Sequence, residues 1–589
     1  MMERKPAHLL PWLFDSRHGP SGRLIQRWLF LRALAAIYFS AFFSLLFQIE
    51  GLIGPRGILP AHQYLGLVAQ ELGGKSYWFA PTLYWFSSSN TALMAVTWIG
   101  LIAAVVAFFN LWPRLSFFVC FVCFLAFVTA TGTFSEYQSD GMLLEAGFLA
   151  LFFSPPGLLP GWAADRPPIR ASLWLLQWEW FRIYFESGLV KLLSGDPEWR
   201  HLTAMDDYYQ NGPLPTWIGW YAQHLPHGFH VFTAGATLVM ELGIVFLLFF
   251  PRRVRLVCFF IVTPWEIAVI FTANYAFLNY LVLSLGILLL DDSFLRPLIP
   301  ARFRPPVEAE PLAQLIRVEE PPLSILATSD TSSETIPTPQ PDAEGFVSPD
   351  LSGPPPSGAL SFRRLLPKGW ETTNPAHASH RNSALRTLGV ALAAILLTWV
   401  GYDTTAELID LAARSGFMPA APLALLEPFR IANQYGLFAV MTRGRYEIEF
   451  QGSNDGQNWT AYPFRYKPQA LNQPPGIYAP YQPRFDWNLW FASLGDWQQN
   501  EMVPLTEERL LENDRDVLAL FAGNPFPQAP PRYVRAVLWQ YWFTSMQQKR
   551  RTGNWWRRQF LGLYAPEIAP GANGRFEAVE MPEPLAPHD

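Results

Sequence analysis

Long apolar runs separated by short polar turns dominate the first 300 residues. Runs near 28–48, 91–110, 114–132, 142–160, 172–193, 230–250, 254–273 and 276–291 approach the ~20 apolar residues that a helix needs to cross a bilayer core, and a ninth follows at 384–402. The fourth and eighth are short. From about Ile431 the pattern changes to period two. In Arg445-Tyr-Glu-Ile-Glu-Phe-Gln451, Tyr446, Ile448 and Phe450 alternate with polar neighbours, which predicts a strand buried on one face. Gly452-Ser-Asn-Asp-Gly456 supplies a turn, because Asn, Asp and Gly tolerate positive φ. Trp459 and residues 462–466 predict the returning strand, and Tyr533–Trp542 a further aromatic one. The stretches FDWNLWFASL and LTEERLLEND read as helices. The expected fold is an α-helical polytopic membrane protein of about nine transmembrane helices with a C-terminal, mainly-β soluble domain, sandwich- or jelly-roll-like.

Basic residues orient the spans, since short cytoplasmic loops retain Lys and Arg. Arg4, Lys5, Arg17, Arg23 and Arg27 precede the first run, which is too long for a signal sequence. Basic-poor and basic loops then alternate: Arg114, Arg166 with Arg170, and Arg252, Arg253 and Arg255 mark one side. The turns at 132–140 and near Asn274 carry no basic residue. Nine spans with a cytoplasmic N-terminus satisfy this alternation and put the C-terminal domain outside. The expected organisation is a cytoplasmic segment 1–27, a helical domain 28–298, a disordered Pro/Ser/acidic cytoplasmic linker 299–382, a ninth span with its connector 383–430, an extracytoplasmic β-rich domain 431–570 and a disordered tail 571–589. The bacterial inner or plasma membrane, or the ER membrane of a eukaryote, fits this layout.

Composition narrows the chemistry. A net charge of −5 gives no reason to expect nucleic acid as a partner; the lipid bilayer is the expected one. Cys120, Cys123 and Cys258 all lie in apolar runs, so Cys120-Phe-Val-Cys123 reads as two small buried residues rather than a redox pair, which needs an accessible thiolate. His224, His227 and His230 are interrupted by Pro226 and read as interface anchors; no metal and no cofactor is expected. No GxSxG elbow, P-loop or HExxH motif is present, and the absence of the elbow argues against the protein being a lipase itself.

Charges inside apolar runs are costly and face a bundle interior or a cavity. Arg182, Glu186 and Lys191 lie on the fifth run, the first two four residues apart and able to pair. Glu145, Glu241 and Glu266 are candidate partners. The cluster reads either as an ion-pair network that fixes helix packing or as a site where one group titrates.

Several ordered stretches resemble one family, the lipase maturation factors. They are Gln48–Pro60, Tyr137-Gln-Ser-Asp140, Phe185–Lys191, Gly195-Asp196-Pro-Glu-Trp199-Arg200, Asp206-Asp-Tyr208-Tyr, Asn274–Phe277 with Asn279, Asn433–Gly436, Arg484 with Asp486-Trp487, and Gly553-Asn554-Trp555-Trp556. The resemblance implies a membrane-anchored factor that helps secreted or membrane proteins, such as a lipase, to mature or assemble. A shorter likeness, YFESGLVKLLSGDPEW, resembles the membrane region of vitamin K-dependent carboxylases, and it would make Lys191 an active-site base. A lipid-handling or transport protein is the third reading. Residues 195–207 and 486–490 are the expected meeting place of the membrane core and the outer domain.

Overall fold

The computed structural model describes residues 9–135, 137–305, 375–414, 416, 419–571 and 575–583, and the apolar runs are helices in it. They are α1 (Leu24–Leu46), α2 (Asn90–Phe108), α3 (Pro113–Ala130), α4 (Gln138–Phe153), α5 (Arg170–Ser194), α6 (His227–Leu242), α7 (Arg252–Thr272), α8 (Leu278–Gly286) and α9 (Pro375–Ala413). Local chemistry sets several ends. Ser89 caps α2 by accepting the Ala92 N–H, Pro113 opens α3, and Gly195 at φ 77° closes α5, where a side chain would be strained.

Six of these helices are long and apolar enough to cross a membrane: α1, α2, α3, α6 with its continuation to Phe249, α7, and the Arg386–Ala413 part of α9. A seventh arises if Leu278–Leu289 and Asp292–Leu298, bent by 95°, count as one span. The two other expected spans fall short for physical reasons. Helix α4 has 16 residues, about 24 Å at 1.5 Å per residue, and α5 carries too many charges. Most of the expected linker, 306–374, lies outside the described residues.

Close helix contacts rest on small residues. Helices α1 and α2 meet where Gly100 lies under the Phe42 ring, so that a Cβ there would stand 2.3 Å from the ring. Gly147 of α4 leaves room for Tyr38 of α1, whose hydroxyl donates to the Leu143 carbonyl at 3.0 Å. A Cβ at Gly147 would fall 1.9 Å from that hydroxyl. Gly147→Ala is therefore expected to destabilise the bundle by ~1–3 kcal/mol through overpacking, and Tyr38→Phe should restore part of the loss. Thermal unfolding of the two single variants and the double variant in detergent checks this; no recovery in the double variant would count against the contact.

The C-terminal domain holds one antiparallel sheet of β1 (Arg445–Ser453), β2 (Thr460–Ala461), β3 (Tyr533–Phe543), β4 (Trp556–Leu563), β5 (Glu567–Pro570) and β6 (Phe576–Glu580). Its order is β2-β1-β3-β5-β6, with β4 also paired to β3. Ile448 stands opposite Leu538 and Phe450 opposite Ala536. Helices α10 (Arg484–Ala492) and α11 (Met502–Leu511) cover that apolar face, with Phe485 stacked 6.4 Å from Phe450. The second layer of the expected sandwich is thus helical among the described residues.

Three sequence expectations change. The returning strand predicted at 462–466 is only Thr460–Ala461, continued by a single bond from Tyr462 N–H to the Phe450 carbonyl. The expected tail 571–589 contributes β6 to the sheet. Strand β1 is buried along all nine residues, not on one face alone. Its polar face survives burial through pairing. Glu447 sits between Arg445 and Lys467 at 2.5 and 2.9 Å, and Glu449 takes Arg558 at 3.0 Å.

Candidate functional site

The charged face of α5 is the centre of the molecule's polar interior. Glu179, Arg182 and Glu186 recur at spacings of three and four, Ser187 and Lys191 are a further pair four apart, and all five are buried. Arg182 is ion-paired with Glu145 of α4, and Lys191 with Glu241 of α6 at 2.8 Å. Both pairs are also tied to one stretch of chain, the segment 433–443 that leads into β1 and turns at Leu437-Phe438.

That segment has no sheet partner, so its buried N–H and C=O groups need others. The helical domain supplies them one by one. Arg182 donates to the Asn433 carbonyl. Glu145 accepts the Asn433 N–H and side-chain amide, each at 3.2 Å, and the Tyr435 hydroxyl at 2.8 Å. Glu186 accepts the Tyr435 N–H at 2.6 Å, and Gln138 the Gly436 N–H at 2.9 Å. The Lys191 ammonium reaches the Leu437 carbonyl at 3.0 Å, besides Glu241 and the Ser187 carbonyl. Trp199 donates to the Phe438 carbonyl, Asp196 accepts the Met441 N–H at 2.6 Å, and Asn211 donates to the Thr442 carbonyl. Glu198 and Arg443 close the row at 3.1 Å. Gly436 packs so near Val190 that a Cβ would stand 3.1 Å from a methyl group.

A second attachment lies at 476–484. Arg484, at the start of α10, forms a two-pronged pair with Asp140 of α4 at 2.7 and 2.8 Å, both residues fully buried, and also donates to the Phe134 carbonyl. Asn274 accepts the N–H groups of Tyr478 and Ala479 and donates to the Gly476 carbonyl. Gln48 donates to the Gln482 carbonyl, Ser40 to that of Pro480, and Tyr280 to that of Ala479. Trp487 rests against Tyr137 and Tyr275.

A third contact is aromatic. Trp220, in the helix Trp217–Gln223, packs 5.2 Å from Trp555 and 6.5 Å from Phe543, and His224 bridges the Trp220 and Thr544 carbonyls. Trp556 is buried beneath Arg445.

The predicted site residues therefore separate into groups. Glu145, Arg182, Glu186, Lys191, Asp196 and Trp199 converge on segment 433–443, which contains Gly436, and Glu241 is joined to it through Lys191. Asp140, Asn274, Arg484 and Trp487 hold 476–484. Glu266 stands apart, accepting from Tyr184 and Asn279 at 2.6 and 2.7 Å, and Tyr208 packs on Tyr275 and Phe438. Gly195 and exposed Arg200 lie beside one another; Asp206 pairs with His227, while Asn554 accepts at its carbonyl from Thr544. The three histidines have three different partners: Thr544 and Trp220, Asp206, and the Leu225 carbonyl. Sequence reasoning missed the roles of Tyr435, Asn433, Gln138 and Ser187, and the Arg445–Glu447–Lys467 triad; a spacing of two along β1 was the one signal for the triad.

Asp486 is buried in the sheet domain, and burial pushes its carboxyl up to about 6, against the pull of the Lys467 N–H and charge. A carboxyl raised above its unfolded value of 3.8 favours the fold most below that value, and the benefit fades as pH rises through 6. Between pH 4 and 7 this group is expected to remove ~2–3 kcal/mol of stability, and Asp486→Asn should flatten that part of the pH–stability curve. Unfolding midpoints at half-unit pH steps measure it; parallel curves for the two proteins would refute it.

Apolar spans joined to a sheet domain through buried ion pairs define a multi-pass membrane protein with a docked soluble domain. Residues 25–297 match the lipase maturation factor transmembrane domain and 431–566 the lipase maturation factor C-terminal domain. The chain is 33% identical to human lipase maturation factor 2 across 94% of its length and 84% of the relative's. It is 32% identical to the chicken form, over 92% of this chain and 81% of that one, and 29% identical to bovine lipase maturation factor 1, over 95% and 92%. The chain belongs to the lipase maturation factor family. No solved structure matches it.

Proposed function

We propose that this protein is a membrane-anchored maturation or assembly factor for secreted or membrane proteins, with its sheet domain as the client-facing part on the extracytoplasmic side. The observation that carries the reading is the family relation over both domains, joined by the row of buried bonds from α5 to 433–443 that ties the sheet domain to the membrane helices. A scaffold that must hold a folding client at a fixed distance from the bilayer needs such a tether. The names of the relatives support a lipase as client. Nine spans with a cytoplasmic N-terminus remain the favoured layout. Helix α5, with 25 residues, is about 37 Å long and pairs Arg182 and Lys191 with carboxylates of its neighbours, and α4 packs beside it. The Lys191 ammonium has three acceptors around it, which does not favour it as a base.

Deletion of the gene should lower secreted lipase activity while leaving transcript unchanged, and re-expression should restore it. An unaltered secreted proteome would reject the role. Accessibility tags at the N-terminus and after residue 570 are expected on opposite faces; tags on one face would reject the layout.

A further inference from the structure

Helices α6 and α7 are joined at one end by the short helix Ile244–Phe249 and diverge from there, with their main contacts made through that turn rather than with each other. The fork encloses a cavity of about 200 Å³. Thr233 and Thr237 line it from α6, Trp265 and Ala268 from α7, and Asn279 from α8, with Lys191, Glu241 and Glu266 at its polar end. The outer faces of the fork carry exposed Phe232, Val239, Phe260 and Phe271, as expected of helices bathed in lipid.

The polar end is unevenly satisfied. Glu266 uses both oxygens, one for Tyr184 and one for Asn279. The second oxygen of Glu241 and the amide oxygen of Asn279, in residues more than nine-tenths buried, have no hydrogen-bond partner. Both are acceptors, and the Lys191 ammonium beside them is already engaged three times. A buried acceptor without a donor costs ~1–3 kcal/mol, so the cavity is built to receive one. A hydroxyl suits it better than an ammonium, whose desolvation costs far more. The volume is below the ~300–1,000 Å³ that encloses a drug-sized molecule, so it takes a head group and the start of a chain while the rest stays in the bilayer.

We propose that this cavity is a binding site for a hydroxyl-headed, long-chain lipid, which enters from the bilayer between α6 and α7 and donates its one hydroxyl proton to the free oxygen of Glu241 or of Asn279. The site adjoins the attachment of 433–443, sharing Lys191, Leu437 and Phe438 with it, and it does not depend on the client being a lipase.

The test uses the full-length protein in phosphatidylcholine nanodiscs with a long-chain fatty alcohol carrying a diazirine and an alkyne. Photolabelling should concentrate on peptides of α6 and α7. Ala268→Trp, at an exposed position of the lining, should reduce it at least five-fold, as should Asn279→Leu, with the unfolding midpoint of the Ala268 variant unchanged. Excess unlabelled fatty alcohol or monoacylglycerol should compete, and whichever competes at lower concentration identifies the source. The methyl ether of the probe should label at least five-fold less. Labelling spread evenly over the exposed helix faces, equal labelling by the ether, or stronger labelling by the corresponding primary amine would overturn the proposal.

Discussion

Arg484→Ala is expected to release α10 from the membrane helices and to cost ~3–5 kcal/mol, the effect of removing one partner from a buried ion pair. Arg484 and Asp140 have no exposed surface, and the guanidinium also holds the Phe134 carbonyl and lies over the Phe127 ring at 4.7 Å. Alanine would strand the Asp140 carboxylate in an apolar site. Arg484→Lys should lose nearly as much, since an ammonium cannot make the two parallel bonds. Asp140→Ala together with Arg484→Ala should cost less than the sum of the single changes, because no unpaired charge is left. Thermal unfolding of the four proteins gives the coupling directly. Strict additivity would mean that the pair does not hold the domains together.

Arg182→Ala has the second large expected effect. Glu145 would lose its cation, Glu186 the guanidinium 4.0 Å away, and the Asn433 carbonyl its donor. The loss should again reach ~3–5 kcal/mol, but its location distinguishes it from general unfolding. The amides of Tyr435, Gly436, Leu437 and Met441, which bond to helical-domain side chains, should lose hydrogen-exchange protection. The amides that pair β1 with β3 should keep theirs, because the sheet carries its own ladder. Adding Glu145→Gln should recover part of the midpoint by removing the orphaned charge. Uniform loss of protection across both domains would contradict a local attachment.

Much of the helical layout was legible because lipid as solvent leaves a coarse mark on sequence. Each expected span overlaps a helix, since a run of apolar residues that long has few alternatives, and six of them, or seven with the bent pair, are long and apolar enough to cross a membrane. The charges on α5 were also legible as buried, from their position in an apolar run and their helical spacing. Their purpose was not. Arg182 and Glu186 sit four apart and suggest a pair with each other, yet they stand at 4.0 Å while Arg182 spends its closest bond on Glu145 and both reach for segment 433–443. No local rule connects residue 186 with residue 435. Strand β1 misled in a related way: its polar alternation reads as a solvent-facing side, whereas Lys467 and Arg558 arrive from elsewhere to pair with Glu447 and Glu449.

The sequence by itself determined which segments leave water, through apolar run length, and which residues within them had to find polar company, through the cost of a lone charge in a low dielectric. Only the tertiary structure decided who that company is. An ion pair or a backbone hydrogen bond depends on distances of about 3 Å between groups hundreds of residues apart in the chain, 350 for Arg484 and the Phe134 carbonyl, and such distances are set by packing, not by neighbours in sequence.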